Sequence, residues 1–574
     1  MLVEGMMKLQ EYERWTLKCQ DPELLQELEE IRGDEEKIND RFYSELTFGT
    51  GGLRGVIGAG SNRMNIYTVG KATQGYADYL RMHTEHPSVA IAHDNRKNSD
   101  LFAERAACIL AENGVKVYMY PVLTPTPMLS YAVRYYHADG GIVITASHNP
   151  AVYNGYKVYG SDGCQITDAA AAEIENCIRP VGCFDGVKIG EMAELKNRGL
   201  IRMIGPDCNE SYLNMISSLT EGKNEDAEKL SLVYTPLNGT GLVPVLEALK
   251  RAGFSDVRIV EEQKEPDPAF KTCPYPNPEV REALELGIRE MRKTGADLLL
   301  ATDPDCDRVG TAVWDKGELR LMTGNEIGVL LMDYVCRKRM AEGTMPSNPV
   351  MVKTIVTTGQ AEEIARSYGV EMRNVLTGFK YIGEQIGLLE KEGHPERYLL
   401  GFEESYGYLS GTNVRDKDGV NAAVLICRMA AEWKKIGKSL ADALRELQQR
   451  FGVWKQSLES MTFLGENGMK EMAGIMEKLR ADPPAELLGT KLTVTEDYLL
   501  QIQKNHMTCE EKKITLPVSN VMLFRFGEEM TLVVRPSGTE PKLKLYLSAR
   551  AEDQEKADQK MEQMRRSVLP LIRI

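Results

Sequence analysis

Residues 297–308 read DLLLATDPDCDR, an apolar run followed at once by a polar turn with three aspartates. A short run of this kind is typical of a buried strand in an α/β sheet. Three further runs have the same form, and they are 141–145 (GIVIT) before ASHNP, 398–401 (YLLG) before FEESYGY, and 531–534 (TLVV) before RPSGTEPK. Because open α/β sheets bind ligands outside the carboxyl ends of their strands, these four turns are the candidate functional loops.

The spacing of the loops indicates one loop per domain. They lie roughly 100 to 160 residues apart, and a chain of 574 residues is long enough for three or four domains of about 150 residues. Helix-like stretches separate the apolar runs, so we expect an α/β protein. The predicted domains are 1–208, 209–320, 321–450 and 451–574, and residues 6–46 of the first form a Glu-rich helical leader.

Composition excludes several classes of protein. Seventy Lys and Arg against 84 Asp and Glu leave a net charge of −14, which argues against a nucleic-acid binder. No stretch approaches the about 18 apolar residues that cross a bilayer, and the start lacks a basic, apolar secretion signal. Eleven cysteines without a CxxC pair favour a reducing compartment. We therefore expect a soluble cytoplasmic protein.

The aspartate turn is a candidate cation site. Asp303, Asp305 and Asp307 alternate along the chain, so their oxygens can face one centre, and oxygen ligands suit a hard cation such as Mg²⁺. An EF-hand would need glycine and glutamate where Arg308 and Trp314 stand. A solvated acidic turn is the alternative interpretation.

The serine turn offers a candidate nucleophile. Ser147 follows a predicted buried strand, with His148 beside it and Lys157 a few residues later. The GxSxG sequence of many serine hydrolases is absent, which disfavours that class. A purely structural turn, in which the serine and the asparagine of SHNP bond the backbone, remains open.

Three further segments carry groups suited to a sugar phosphate. The last loop combines charged, hydroxyl and glycine residues that could hold a phosphate, or it is an ordinary hairpin turn; they are Arg535, Ser537, Gly538, Thr539 and Lys544. Glu403, Glu404 and Ser405 could accept hydrogen bonds from hydroxyls, or form a solvated loop edge. Residues 49–60 (GTGGLRGVIGAG) allow close approach of backbone to ligand and include Arg54, or form a flexible turn.

Together these segments resemble the α-D-phosphohexomutases, the superfamily of phosphoglucomutases and phosphomannomutases. The resemblance runs from GTGGLRG near residue 49 to RPSGTEPK near residue 535, and TASHNP followed by DPDxDR is highly specific to that superfamily. It implies four domains around a central cleft, the first three of one shared α/β topology and the last a smaller α+β domain.

The resemblance also implies residue roles. Ser147 would be the phosphorylated serine, and Asp303, Asp305 and Asp307 would bind Mg²⁺ together with an oxygen of the phosphoserine. Four further residues would act beside the reacting phosphate. Arg308 and Arg54 would bind and stabilise the phosphoryl group, and His148 and Lys157 would be candidates for proton transfer.

The remaining roles concern substrate binding. Glu403 and Ser405 would contact sugar hydroxyls. A TGxK sequence matches a further substrate loop, at Thr377, Gly378 and Lys380. The non-reacting phosphate would be held by Arg535, Ser537, Gly538, Thr539 and Lys544.

The activity that follows is the interconversion of glucose 1-phosphate and glucose 6-phosphate through a phosphoserine enzyme and a glucose 1,6-bisphosphate intermediate. Phe402 stands where many members have glycine, and the wording FEESYGY is also similar to relatives that act on pentose phosphates. Pentose or mannose phosphates are therefore alternative substrates, while Ser405, where we expect alanine in pentose-preferring relatives, favours glucose.

A phosphatase and a non-catalytic sugar-phosphate binder are the other classes of function that the sequence allows. We expect no nucleic acid or membrane partner, and a monomer or weak homo-oligomer.

Overall fold

The computed structural model describes residues 2–220, 226–463, 468–537 and 542–572. Helices and strands alternate over most of this range. The helices are α1 Leu2–Lys18, α2 Pro22–Glu30, α3 Glu35–Phe42, α4 Ile66–His83, α5 Ser99–Glu112, α6 Thr126–Tyr135, α7 Asp168–Ile178, α8 Met192–Asn197, α9 Pro206–Leu219, α10 Leu242–Arg251, α11 Arg281–Thr294, α12 Gly324–Ala341, α13 Gln360–Ser367, α14 Lys380–Lys391, α15 Gly419–Lys435, α16 Leu440–Phe451, α17 Gly468–Ala481 and α18 Gln554–Val568.

Strands occur in every part of the chain that carries a predicted loop. They are β1 Gly52–Val56, β2 Ser88–His93, β3 Lys116–Met119, β4 Gly140–Ile144, β5 Tyr153–Gly160, β6 Ile201–Met203, β7 Leu232–Thr235, β8 Val257–Ile259, β9 Leu298–Thr302, β10 Val309–Asp315, β11 Glu318–Met322, β12 Val350–Thr354, β13 Glu371–Val375, β14 Tyr398–Phe402, β15 Tyr408–Ser410, β16 Val453–Thr462, β17 Glu486–Leu487, β18 Thr490–Asp497, β19 Ile502–Asn505, β20 Glu511–Lys513, β21 Met522–Phe526, β22 Met530–Pro536 and β23 Lys542–Ala551.

The chain divides into two compact units. The first contains Met1–Ile327 and Ile382–Leu440, and the second contains Gly328–Tyr381 and Ala441–Ile574. None of the helices in the described ranges is both long and apolar enough to cross a membrane.

The first unit contains two sheets with the same arrangement at their centre. The first sheet has the order β1-β5-β4-β2-β3-β6, and the second has the order β11-β10-β9-β7-β8. In both, three adjacent strands run parallel (β4-β2-β3 and β9-β7-β8), and an antiparallel strand (β5 or β10) pairs with the first of the three. The carboxyl ends of β4 and β9 therefore deliver the serine turn and the aspartate turn in equivalent positions.

The same succession of elements occurs a third time along the chain. In the second unit β12 pairs in parallel with β13, and in the first unit β14 pairs antiparallel with β15. The C-terminal part of the second unit differs, because β16-β23-β22-β21-β18-β19-β20 form an antiparallel sheet. The predicted α/β class is confirmed, and all four predicted strands exist as β4, β9, β14 and β22.

The predicted leader is helical and forms its own apolar cluster. Trp15 and Leu28 of α1 and α2 are fully buried and pack with Phe42 of α3. Glu27 also accepts a hydrogen bond of 2.9 Å from the backbone N–H of Ala59, inside the glycine-rich segment. The leader therefore supports the segment that follows β1, which gives it a structural role.

Candidate active site

Ser147 lies in the turn between β4 and β5. Its φ is +51°, in the left-handed region that residues other than glycine rarely adopt. Its N–H donates a hydrogen bond of 2.9 Å to Thr145 Oγ1, and only 9% of its surface is exposed. Such a conformation persists only when the surrounding structure holds it, and it is common at functional turns.

The structure brings the serine turn and the aspartate turn together. Ser147 Oγ donates a hydrogen bond of 2.8 Å to Asp303 Oδ2, across 156 residues of sequence. The two side chains come from different sheets, since Asp303 follows β9 directly. The first unit therefore places a candidate nucleophile against a candidate cation site.

The three aspartates form one cluster. Oxygens of Asp303, Asp305 and Asp307 lie within 4.8 Å of one another, and at most 1% of each residue is exposed. Asp303 Oδ1 accepts hydrogen bonds of 3.0 Å from the backbone N–H of Asp307 and of Arg308. In the described part of the chain, Oδ1 of Asp305 and Oδ1 of Asp307 are buried and accept no hydrogen bond. Buried carboxylate oxygens that accept no hydrogen bond are unfavourable unless a cation binds them, so this cluster fits Mg²⁺.

Titration of the cluster also points to a cation. Burial raises the pKa of Asp303 well above its usual range, and the negative charges of Asp307 and Asp305 raise it further. Burial and Asp305 likewise raise the pKa of Asp307. Burial would raise the pKa of Asp305, but the charge and hydrogen bond of Lys157, together with Asp303 and Lys417, lower it. A divalent cation would relieve the repulsion among these carboxylates, and its binding would release protons.

Lys157 of β5 contacts the cluster. Its Nζ lies 2.9 Å from Asp305 Oδ2 and 3.7 Å from Asp307 Oδ2. Burial alone would lower the pKa of Lys157, but the carboxylates of Asp305 and Asp307 raise it instead. Lys157 is therefore positively charged in the free protein at neutral pH.

A second ammonium, Lys417, approaches from the loop before α15. Its Nζ lies 3.1 Å from Asp307 Oδ2 and 3.0 Å from Asp416 Oδ1. Asp416 Oδ2 in turn accepts a hydrogen bond of 2.8 Å from the Tyr159 hydroxyl. Two lysines thus balance part of the negative charge of the three aspartates.

The Glu403 loop lies against the aspartate turn. Arg308 forms an antiparallel bridge with Gly407, and its Nη1 lies 2.7 Å from Glu279 Oε1. Glu403 is 5% exposed; burial raises its pKa, while the charges of Lys417 and Arg308 oppose the rise. The predicted hydroxyl-binding carboxylate is thus beside the predicted phosphoryl-binding arginine. Ser405, in the same loop, is half-buried.

His148 faces the nucleophile. Its Nδ1 lies 3.2 Å from Ser147 Oγ. Burial lowers the pKa of the imidazole to about 2, and the charges of Arg308 and Lys157 act in the same direction. Arg54, exposed on β1 opposite Gly155, lowers it further. His148 is therefore neutral in the free protein.

Gly239 is required by the way the aspartate turn packs. A Cβ at this position would lie 2.4 Å from the Cα and 2.7 Å from the carbonyl oxygen of Pro304, which are backbone atoms that cannot move aside cheaply. We expect Gly239→Ala to destabilise the protein by about 1–3 kcal/mol, as overpacking usually does. The thermal midpoint should fall, and the Mg²⁺ concentration that gives half-maximal stabilisation should rise. Gly387→Ala is the control, since its Cβ would meet only Arg415 Nη1, at 3.6 Å; an equal loss there would contradict the explanation.

The second unit carries the predicted TGxK loop. Gly378 has φ +121°, and Lys380 is the first residue of α14. Thr377 Oγ1 is buried and, among the described residues, has no hydrogen-bond partner. The loop therefore combines a hydroxyl, a conformation that favours glycine, and a lysine at a helix start, which is a common setting for anion binding.

The predicted phosphate loop is partly described. Arg535 and Lys544 are direct cross-strand partners in β22 and β23, so their side chains share one face of the sheet. The N–H of Ser537 donates a hydrogen bond of 2.7 Å to the carbonyl of Lys542. Gly538 and Thr539 lie outside the described residues.

Comparison with known proteins identifies the family. Models of the phosphoglucomutase/phosphomannomutase family match α/β/α domain I at residues 45–181, domain II at 210–316, domain III at 323–451 and the C-terminal domain at 502–566. A curated phosphoglucomutase of Staphylococcus aureus is 37% identical over 98% of this chain and 100% of its own length. This chain belongs to the phosphoglucomutase/phosphomannomutase family.

Further relatives agree with this membership. A phosphoglucomutase of Staphylococcus epidermidis is 38% identical over 89% of this chain and 92% of its own length. Two solved structures share the fold. A phosphoglucomutase/phosphomannomutase family protein of Burkholderia thailandensis has a TM-score of 0.67, 19% identity and coverage of 92% of this chain and 98% of that chain. The open form of Paramecium parafusin has a TM-score of 0.65, 16% identity and coverage of 92% and 95%. The four-domain α/β architecture is thus confirmed.

Several charged residues of the site did not emerge from the sequence of this family member. Glu279, Asp416 and Lys417 stand in ordinary polar segments, and only the dense charge of RDKD at 415–418 sets the last two apart. Burial gives Asp416 and Lys417 their significance, because a buried charge must be paired. Glu279 is exposed and is connected to the site by its ion pair with Arg308.

Proposed function

We propose that this protein is a phosphoglucomutase that interconverts glucose 1-phosphate and glucose 6-phosphate through phosphorylated Ser147 and glucose 1,6-bisphosphate. The observation that carries the proposal is the 2.8 Å contact between Ser147 Oγ and Asp303 Oδ2, inside a cluster whose buried oxygens fit a divalent cation. Family membership supports the reaction class, and the name of the staphylococcal relatives supports glucose phosphates.

The first half-reaction moves the phosphoryl group from Ser147 to the sugar. The oxygen of the sugar 6-hydroxyl attacks phosphorus, the bond from phosphorus to Ser147 Oγ breaks, and the hydroxyl proton passes to His148, which returns it to the serine oxygen, 3.2 Å from its Nδ1. When bound by Asp303, Asp305 and Asp307, Mg²⁺ would neutralise charge on the phosphoryl oxygens. Lys157 and Arg308 are the protein's own cations for the same purpose.

The second half-reaction returns a phosphoryl group to Ser147. The bisphosphate must turn end for end, so that its 1-phosphate faces the serine and glucose 6-phosphate is released. Ser147 Oγ then attacks phosphorus, and the bond from phosphorus to O1 of the sugar breaks. His148 Nδ1, 3.2 Å from the serine oxygen, accepts the serine proton and passes it to O1. The negative charge of the phosphate would raise the low pKa of His148 at this stage.

The remaining loops would bind the sugar and its second phosphate. We assign sugar hydroxyls to Glu403 and Ser405 and the non-reacting phosphate to Arg535, Ser537, Gly538, Thr539 and Lys544, with Thr377, Gly378 and Lys380 as a further substrate loop. A phosphate-binding site that does not distinguish the 1-phosphate from the 6-phosphate can bind the bisphosphate in both of its orientations. The domains proposed for these tasks are 1–208, 209–320, 321–450 and 451–574, in a cytoplasmic monomer or weak homo-oligomer.

The test is a coupled assay of purified protein with Mg²⁺ and a trace of glucose 1,6-bisphosphate. Glucose 1-phosphate should give the highest kcat/KM among glucose, mannose, ribose and deoxyribose 1-phosphates. EDTA should remove the activity and excess Mg²⁺ should restore it. Phosphate release without isomerisation would show a phosphatase instead, and binding without turnover would show a sugar-phosphate binder.

Ser405 is expected to influence the choice of sugar. It hydrogen-bonds the Glu403 carboxylate, so its loss would loosen the group assigned to sugar hydroxyls. Ser405→Ala should lower kcat/KM for glucose 1-phosphate about 10-fold relative to ribose 1-phosphate, which is the size of one lost hydrogen bond. Ser410→Ala in β15 is the matched control. An unchanged ratio of the two kcat/KM values would show that Ser405 does not select the sugar.

A further inference from the structure

Arg96, just beyond β2, holds the serine turn through its backbone. One guanidinium nitrogen donates to the carbonyl of Ser147, at 2.6 Å, and to that of Asn149. The other donates to the carbonyls of Pro150, at 2.9 Å, and Tyr153, at 3.1 Å. A single side chain therefore contacts four carbonyl groups between the nucleophile and the start of β5.

Arg96 is itself rigidly held. Its residue is 2% exposed, and its Nε lies 3.3 Å from Asp94 Oδ2. Asp94 Oδ1 accepts hydrogen bonds from the Arg96 N–H, at 2.9 Å, and from Ser99 Oγ, at 2.6 Å. The Phe270 ring lies 5.0 Å from the guanidinium carbon, on the side of the second sheet. Because this guanidinium has little conformational freedom, its hydrogen bonds fix the position of the serine turn.

Asn95, the residue before Arg96, is connected to the aspartate turn through residues 238–240. Asn95 Nδ2 donates a hydrogen bond of 2.8 Å to the carbonyl of Asn238. Two residues later, the N–H and Oγ1 of Thr240 donate to the carbonyl of Pro304, at 2.8 and 2.9 Å. Residues 94–96 are therefore fastened to both turns, the serine turn by Arg96 and the aspartate turn by Asn95.

We propose that Arg96 is a positioning residue that holds the strained serine turn, and, with Asn95, sets the separation between Ser147 Oγ and the aspartate cluster. Neither residue touches the reacting atoms. The inference rests on the proposed function, because the separation matters only if a phosphoryl group passes between these two turns. A displacement of about 1 Å in such a geometry costs about 10²-fold in rate.

Arg96→Lys is the decisive variant, because a lysine keeps the charge but cannot span four carbonyls. We expect kcat to fall about 10²-fold with KM nearly unchanged, since substrate groups are left in place. We also expect faster amide hydrogen exchange in residues 145–153, with residues 232–235 of β7 unchanged. In Arg96→Ala, millimolar guanidinium chloride should restore part of kcat.

Arg134→Lys is the matched control, since Arg134 also donates to a backbone carbonyl, that of Asp162 at 3.1 Å, and to a carboxylate, that of Glu390 at 2.9 Å. It should keep wild-type kcat and exchange in residues 145–153. Wild-type kcat and unchanged exchange in folded Arg96→Lys would overturn the proposal.

A second variant tests the proposal if Arg96→Lys does not fold. If circular dichroism shows Arg96→Lys unfolded, Asn95→Ala decides, because it removes one hydrogen bond: lowered kcat with unchanged KM supports the proposal, and wild-type kcat refutes it. If the wild-type protein isomerises no sugar phosphate, the proposed function fails, while hydrogen exchange still tests the positioning role.

Discussion

Ser147→Ala is expected to abolish isomerisation, with kcat falling about 10⁴-fold or more. The reason is that the proposed mechanism passes the phosphoryl group through the serine oxygen, and loss of a covalent nucleophile has effects of this size. Intact-mass measurement should show one added phosphate on the wild-type protein after incubation with glucose 1,6-bisphosphate, and none on the variant.

Two comparisons separate this effect from a loss of folding. Ser161→Ala changes an exposed serine in the turn after β5 and should keep wild-type kcat and the added phosphate. Circular dichroism of Ser147→Ala should match the wild-type spectrum. A variant that is folded and still isomerises at the wild-type rate would disprove the phosphoserine mechanism.

Asp307→Asn is expected to produce the second large effect. Its buried Oδ1 accepts no hydrogen bond among the described residues, and its Oδ2 lies 3.1 Å from Lys417 Nζ, so the substitution removes one charge from the proposed cation site. The Mg²⁺ concentration for half-maximal activity should rise about 100-fold, and kcat/KM at fixed Mg²⁺ should fall about 10³-fold. Activity measured against free Mg²⁺ gives both values.

Thermal unfolding supplies an independent readout. Mg²⁺ should raise Tm of the wild-type protein, because a ligand that binds only the folded state stabilises it, and Asp307→Asn should show little of this rise. Glu318→Gln changes an exposed carboxylate of the same sheet and should respond to Mg²⁺ as the wild type does. An undiminished rise of Tm in Asp307→Asn would place the cation elsewhere.

Local sequence predicts much of the fold because strand and loop signals are local. The apolar runs before ASHNP, TDPDCDR, FEESYGY and RPSGTEPK became β4, β9, β14 and β22, with ends shifted by a few residues at most. Apolar runs of this length have few alternatives to a buried strand once helices flank them.

Charge balance inside the site depended on distant parts of the chain. Lys417 reaches Asp307 across 110 residues, and Arg96 reaches the serine turn across more than 50. Neither has a motif of its own, and a lysine or an arginine in a polar segment is usually solvated. Only burial beside specific partners shows that these two cations are part of the site.

The sequence by itself determined which chemical groups this protein has and the order in which they follow their strands, because turn and strand preferences act over a few residues. The tertiary structure alone decided that Ser147 meets Asp303, that His148 is neutral while Lys157 stays charged, and that Arg96 holds the turn. Those properties arise from burial and from electrostatic interactions over a few ångströms. The residues that interact in this way are close in space but far apart in the sequence.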